Sequence, residues 1–369
     1  MKGGLLQGFL SPRSPPSAVM EIVVVSASIG AGHDGAAGEI GRRLEAAGVA
    51  VRRLDYLDLL PTGWGQTIKQ AYAYQLAHAP GSWGRLLDTM ARPGATRGAA
   101  WLSTRAAQRR LLAATGPSPA AVVSTYPLAT QALGRLRLSG RLRAPAIAVL
   151  TDPSVHPLCV APGIDLHLSP NEDATARVRD DFGLPVTTNA PVVDPRFHPG
   201  RGPAGVRAAR QRHGLPPDAR LALVVAGSWG VGDIETTVRD LAAVTEAIPV
   251  VVCGRNTALR ERLAATGKAI ALGWVDDMPS LLRAADLVVQ NAGGLTCVEA
   301  LASGVPVISY RCLPGHGEAN AAVLERLGQV PWPRTAGELG DVVHAALRTA
   351  PPTRTAAPSA AELIRAMTR

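Results

Sequence analysis

The 369-residue chain carries 38 Lys and Arg against 29 Asp and Glu, a net charge of +9, and 47% of its residues are apolar. That is material for two cored domains rather than a disordered chain, and its positive balance favours phosphates, nucleic acid or an acidic membrane surface as partners. The four cysteines (Cys159, Cys253, Cys297, Cys312) form no C-x-x-C pair, so free thiols are expected rather than a disulfide framework or zinc site, and no apolar run reaches the ~18 residues that span a bilayer.

Residues 1–18 hold a short apolar patch followed by a Pro/Ser run, expected as a disordered leader rather than a signal peptide. Then EIVVVSA, 21–27, is a continuous β-branched run of the kind found in parallel strands buried on both faces. A helix over 34–47 and strands over 49–55, 121–124, 146–150 and 166–169 continue a β-α alternation, which predicts an α/β sheet.

The stretch 61–115 departs from this rhythm. It holds seven cations (Lys69, Arg85, Arg92, Arg97, Arg105, Arg109, Arg110) against Asp88 alone, with Trp64, Trp83 and Trp101. Basic residues interleaved with tryptophan suit a surface facing anionic lipid; the plainer alternative is a helical insertion whose tryptophans are core.

Proline, glycine and arginine dominate 190–218, which reads as a connector. A second strand series follows over 221–228, 248–254, 269–274, 286–293 and 305–310. The expected organisation is a leader (1–18), a first Rossmann-like domain (19–200), a second (201–346), and a Pro/Ala-rich tail (347–369) with a possible helix over 360–367.

Two loops carry chemistry. Gly30-x-Gly32-x-x-Gly35 follows the first strand and opens a helix, with Asp55 at the end of the next strand, as in a dinucleotide-binding turn. Lodged in it is His33, where a helix start favours the neutral imidazole and so a general base; simple packing within the turn is the alternative. In the second half, QNAGGLTCVEALASGVPVISY (290–310) runs from a strand through Gly293-Gly294 into a helix beginning at Leu295 or Thr296. Its free N–H groups suit a phosphate. Glu299, one turn beyond Thr296 on the same face, can accept two ribose hydroxyls. Gly227 and Ser228 form another small-residue turn able to meet a phosphate. Arg255 can neutralise diphosphate or sit in a surface ion pair, and Asp277 reads as an N-cap rather than a metal ligand.

GAGHDGAA and NAGGLTCVEALASGVPVI together resemble a family of GT-B glycosyltransferases. The family includes the monogalactosyldiacylglycerol synthases and processive diacylglycerol glucosyltransferases, and is related to the peptidoglycan N-acetylglucosaminyltransferase that forms lipid II. The resemblance covers about 22–344, with landmarks at Tyr72, Ser124-Thr125-Tyr126-Pro127, Thr151-Asp152 with His156, and Cys253-Gly254-Arg255-Asn256.

It implies two Rossmann-like domains facing across a cleft and inverting transfer of a hexose from a UDP-sugar to a lipid hydroxyl, diacylglycerol-like, at the cytoplasmic face of the membrane. A polyprenyl or secondary-metabolite acceptor is the alternative, and a UDP-sugar 2-epimerase, a nicotinamide oxidoreductase and a non-catalytic surface binder are the rival classes. On this resemblance His33 and Asp152 are the catalytic candidates, and Gly32, His33, Tyr126 and His156 lie on the acceptor side. Glu299 binds ribose; Gly293, Gly294, Leu295, Thr296 and Ser228 meet the diphosphate; Trp274, Val275 and Met278 lie along the base, and Gly227 and Arg255 join this nucleotide-sugar side from the residue reading above. His316, able to reach a sugar hydroxyl or a phosphate oxygen, and Asn320 count with the nucleotide-sugar site, and Trp64, Lys69, Trp83 and Arg85 meet the membrane. Neither an obligatory cofactor or metal nor a nucleic-acid partner is implied. One departure stands out: similar enzymes read P-G-Q-E-x-x-N where this chain reads PGHGEAN (314–320), with His316 in the Gln position and Glu318 displaced by one. The donor sugar is therefore left open.

Overall fold

A computed structural model describes residues 20–78, 89, 95–200, 202–348 and 357–368. Two parallel sheets organise it. The first runs β2-β1-β3-β4-β5-β6 and the second β11-β10-β7-β8-β9. The leader, Trp83, Arg85 and the side chain of Trp101 lie outside the described residues.

In the first sheet, β1 (Glu21–Ser26) pairs in parallel with β2 (Ala50–Asp55) and β3 (Ala121–Ser124). Val23 and Val25 join the core on one face, Ile22 and Val24 the core on the other. This two-faced burial explains the unbroken apolar run, and each such side chain contributes roughly 1.5–3 kcal/mol by leaving water. β4 (Ala146–Val149), β5 (Leu166–Ser169) and a short β6 (Val186–Thr188) complete the sheet. In the second, β7 (Leu221–Val225) lies between β10 (Leu287–Gln290) and β8 (Ile248–Val252), with β11 (Val307–Ser309) and β9 (Ile270–Leu272) at the edges. Strand order therefore reverses between β1 and β3, and again between β7 and β10. Loops leaving the carboxyl ends of such strands part and leave a crevice.

Helix α1 (Ala31–Ala46) starts three residues earlier than the periodicity suggests, because Gly30 is extended (φ −154°, ψ 152°) and serves as the N-cap. His33 is thereby inside the first turn. The supposed connector 190–218 also contains a helix, Gly202–Arg212. Val193, Phe197, Ala209 and Leu215 from this stretch enter the second core, and buried Arg210 pairs with Asp286 at 2.8 Å. At the end of the chain, the Ala360–Ala366 helix crosses back and buries Ala360, Ala361 and Ile364 against the first sheet's core.

The two halves touch. The Cβ position at Gly35 lies 2.7 Å from Leu295 Cδ2, so a larger residue there would have to displace the Leu295 side chain at the start of the Leu295–Ala302 helix of the second half. Trp229 Nε1 donates to the Ile29 carbonyl at 3.2 Å, and Arg326 pairs with Asp173 at 3.0 Å. Among the described residues no helix is long and apolar enough to cross a membrane.

Candidate active site

A cleft of about 360 Å³ opens between the two switch points and is lined from both halves. On the first side the β1–α1 turn supplies Gly30, Gly32 and His33, and the loop after β4 supplies Thr151 and Asp152. His33 Nδ1 lies 2.7 Å from the Thr125 carbonyl oxygen. A carbonyl only accepts, so Nδ1 carries the proton and Nε2 keeps its lone pair. Thr125 Oγ1 donates back to the His33 carbonyl at 3.0 Å, and the Tyr126 ring meets the imidazole edge-on at 5.5 Å. Burial holds the His33 pKa below the usual histidine range, against the opposing pull of the Asp152 carboxylate and the Thr125 carbonyl. The imidazole is neutral, oriented and basic at one nitrogen.

On the second side, Gln290 ends β10 as a buried polar residue. Its Oε1 accepts from the Ala292 and Gly293 amides, and its Nε2 donates to Ser309 Oγ at 2.7 Å. Asn320 Nδ2 donates to the Ala292 carbonyl at 2.9 Å, and Asn291 Nδ2 ties this loop to Val231 on the neighbouring one at 2.8 Å. Gly293 has φ +76°, and a Cβ there would stand 2.6 Å from Asn320 Cβ, so only glycine fits. The Leu295–Ala302 helix then begins with no side-chain cap, which leaves first-turn N–H groups available to an anion. Thr296 and Glu299 line the cleft on the same helix. Burial, with a smaller push from Asp194, raises the Glu299 carboxyl to about 8.

Gly227, Ser228, Trp274, Val275, Met278, Gly293, Gly294, Leu295 and His316 also border the cleft, so it gathers most of the residues singled out from the sequence. Asp152 Oδ1 faces the second half, 4.0 Å from His316 Nε2 and 3.3 Å from the Cβ position of Gly294.

Other candidates stand apart. Arg255 does not border the cleft; its guanidinium stacks over Trp274 at 4.5 Å and Trp229 at 5.6 Å, where it braces two indoles and forms no ion pair among the described residues. Asn320 is fully buried behind the Ala292 turn. Tyr126 backs His33 from the core, and His156 caps a short turn by accepting from the Leu158 amide. Glu318 caps its own helix through the Gly315 amide, which accounts for its displaced position. Trp64 and Lys69 lie beside a separate hollow rather than in the cleft, Trp64 exposed on α2 (Trp64–His78).

Two features that favoured a dinucleotide read differently in three dimensions. Asp55 accepts from the Leu57 amide at 2.9 Å and the Ser28 amide at 3.3 Å, so it braces the loop rather than awaiting a ribose. Gly35 provides room for Leu295 of the other half. Gln290, Trp229 and Ser154 escaped sequence reading. A polar residue closing the otherwise apolar strand LVVQ was the one available signal for Gln290.

The sequence model of the monogalactosyldiacylglycerol (MGDG) synthase family matches residues 33–188, and that of glycosyl transferases group 1 matches 221–327. Processive diacylglycerol beta-glucosyltransferase of Bacillus subtilis (strain 168) is 30% identical over 218 residues, 57% of this chain and 56% of that protein. The enzyme of the same description from Bacillus thuringiensis (strain Al Hakam) is 28% identical over 243 residues, 62% of this chain and 60% of that protein. The matches thus span under two thirds of these relatives. Among solved structures, Acinetobacter baumannii MurG aligns with TM-score 0.53 and 18% identity over 94% of this chain and 93% of that one. Anabaena Alr3699/HepE, solved with UDP-glucose, aligns with TM-score 0.53 and 14% identity over 89% and 90%. The arrangement of two facing parallel sheets is shared with both.

Proposed function

We propose that this chain, a GT-B glycosyltransferase of the monogalactosyldiacylglycerol synthase kind, moves a hexose from a UDP-sugar to a lipid hydroxyl, with diacylglycerol the favoured acceptor class. One observation carries the reading. A neutral, oriented His33 and the Asp152 carboxylate, both from the first half, converge on an uncapped helix start and a Gly-Gly turn from the second.

In this reading uridine lies along Trp274, Val275 and Met278, its ribose on Glu299 and its diphosphate on the amides of 294–296 and the Ser228 turn, with Gln290 holding the Gly293 amide to shape the turn. The acceptor hydroxyl attacks the anomeric carbon from the first half, opposite the diphosphate. A new C–O bond forms as the bond to the diphosphate oxygen breaks, which inverts the anomeric centre. The hydroxyl proton passes to His33 Nε2, and Asp152 stabilises the resulting imidazolium. Charge gathering on the leaving diphosphate meets preorganised N–H dipoles. His316, facing Asp152 across the cleft, is placed to meet a sugar hydroxyl or a phosphate oxygen. Contact between the halves excludes water that would otherwise hydrolyse the donor.

The diacylglycerol acceptor is supported by the Bacillus relatives, which are diacylglycerol glucosyltransferases, and the exposed Trp64 on a basic segment supports work at a membrane surface, for which the cytoplasmic face is proposed. Incubating the full chain with each UDP-hexose and diacylglycerol in vesicles tests the reading. Glycolipid of inverted linkage is expected; donor turnover with no sugar on the lipid would overturn the acceptor assignment.

A further inference from the structure

A second hollow, of about 520 Å³, lies beside the first half's glycine turn, outside the cleft. Ser28, Thr62, Gln66, Lys69 and Arg110 line it, with Asp58 as its one acid. Lys69 Nζ donates to Ser28 Oγ at 3.3 Å, and Arg110 Nη1 donates to the Leu60 carbonyl. Neither cation forms an ion pair among the described residues, whereas Arg52, Arg207, Arg311 and Arg334 each pair with a nearby carboxylate. Two cations against one acid on the wall of a polar concavity leave a net positive potential focused into it. The first turn of α2, which also borders the hollow, contains no acid to offset its positive end.

We propose that this hollow is a second ligand site, for a phosphate group held between Lys69 and Arg110. Hydroxyl and amide donors on Ser28, Thr62 and Gln66 surround the oxyanion, matching its several acceptors. Two sources offer that chemistry: the phosphodiester of a lipid headgroup and free phosphate. Trp64, 43% exposed on the first turn of α2 next to the hollow, is placed to enter a lipid interface while a headgroup fills the site. The site also touches the reaction loop. Ser28 lies two residues before Gly30, so a phosphate that draws Lys69 away from Ser28 alters the support of the turn carrying His33. This inference concerns a different site from the donor cleft and is read by binding, so it stands or falls separately from the proposed transfer.

The test uses the full chain with two probes: inorganic phosphate in a thermal-shift titration, and flotation with vesicles of phosphatidylcholine alone or mixed with phosphatidylglycerol. Binding to at least one anionic probe is expected, with a roughly tenfold loss in Lys69→Gln and a larger loss in Lys69→Gln with Arg110→Gln, the size of one or two charge-assisted contacts. Lys69→Arg should restore most of it. UDP affinity, housed in the other half, checks folding; should Arg110→Gln disturb the Leu60 loop, the Lys69 pair of variants suffices. Binding to phosphatidylglycerol vesicles uncompeted by phosphate assigns the lipid source, whereas a phosphate shift without vesicle binding assigns the free anion. If wild type and Lys69→Gln bind both probes equally, or wild type binds neither, the proposal is overturned.

Discussion

Asn320 accepts two hydrogen bonds from Ser154, at 2.6 Å from the hydroxyl and 3.1 Å from the amide, while its own Nδ2 donates to Ala292 at 2.9 Å. One fully buried side chain thus joins the loop that carries Asp152 to the turn that would hold the donor diphosphate. Asn320→Ala leaves the partly buried Ser154 donors and Ala292 carbonyl without their partner and opens a gap where a fully buried side chain stood, so it should cost about 1–3 kcal/mol of stability. It should also lower kcat more than it raises the KM for the donor. A variant that melts lower yet keeps wild-type kcat would limit Asn320 to a structural role.

His33→Ala should reduce turnover by roughly 10²–10⁴-fold, the usual worth of a positioned base, with UDP affinity unchanged by calorimetry. The pH profile offers an independent check. Because burial depresses the folded His33 pKa, the basic form persists below the ordinary histidine value, and the acid limb of kcat/KM should lie below that value. The same shift means that the folded state binds fewer protons than the unfolded one in this window. Its contribution to stability is therefore complete above the unfolded histidine pKa and fades as pH falls toward the folded one.

Glu299 works in the opposite sense. Its carboxyl, raised to about 8, binds a proton in the folded protein where the unfolded chain has lost it. The ligand-free protein should therefore lose stability as pH rises from the ordinary Glu pKa toward 8, and level off above it. Glu299→Gln should flatten that slope in thermal melts and weaken UDP binding about tenfold, the effect of losing a charge-assisted contact to the ribose. A carboxylate accepts hydroxyls better than a neutral acid, so wild-type UDP affinity should grow between pH 6 and pH 9. Affinity independent of pH would place the ribose elsewhere.

Gly35 and Leu295 offer a steric test of the contact between halves. Gly35→Val should depress kcat by holding α1 away from the Leu295–Ala302 helix, with little change in UDP affinity. Adding Leu295→Ala vacates the space a side chain would need and should recover part of the loss, a coupling that independent sites would not show.

Strands with buried faces announced themselves: the runs at β1, β7 and β8 are unbroken in apolar residues because helices cover both sides. The Gly202–Arg212 helix was hidden because its stability comes from tertiary partners, Arg210 on Asp286 above all, in a segment whose prolines and glycines signal turns. The cleft residues were legible where backbone geometry demands a residue type, as at Gly293, or where a titratable group interrupts a glycine turn, as at His33. Arg255 and Asp55 have surroundings the sequence does not display, for a shared reason. A charge at a strand end looks available in sequence, and only the fold reveals the indoles or backbone amides that already occupy it. Asn320 was legible from the 314–320 motif, but its buried role behind the Ala292 turn was not, and Gln290 acts through a buried amide whose spacing carries no signature.

The most direct measurement is a thermal-shift panel of UDP, UDP-glucose, UDP-galactose, UDP-N-acetylglucosamine, NADH and NADPH on wild type and Gly293→Ala. The account predicts that UDP compounds stabilise the wild type, that the nicotinamides do not, and that Gly293→Ala loses the response. Stabilisation by NADH or NADPH, or a UDP response undiminished in Gly293→Ala, would contradict it.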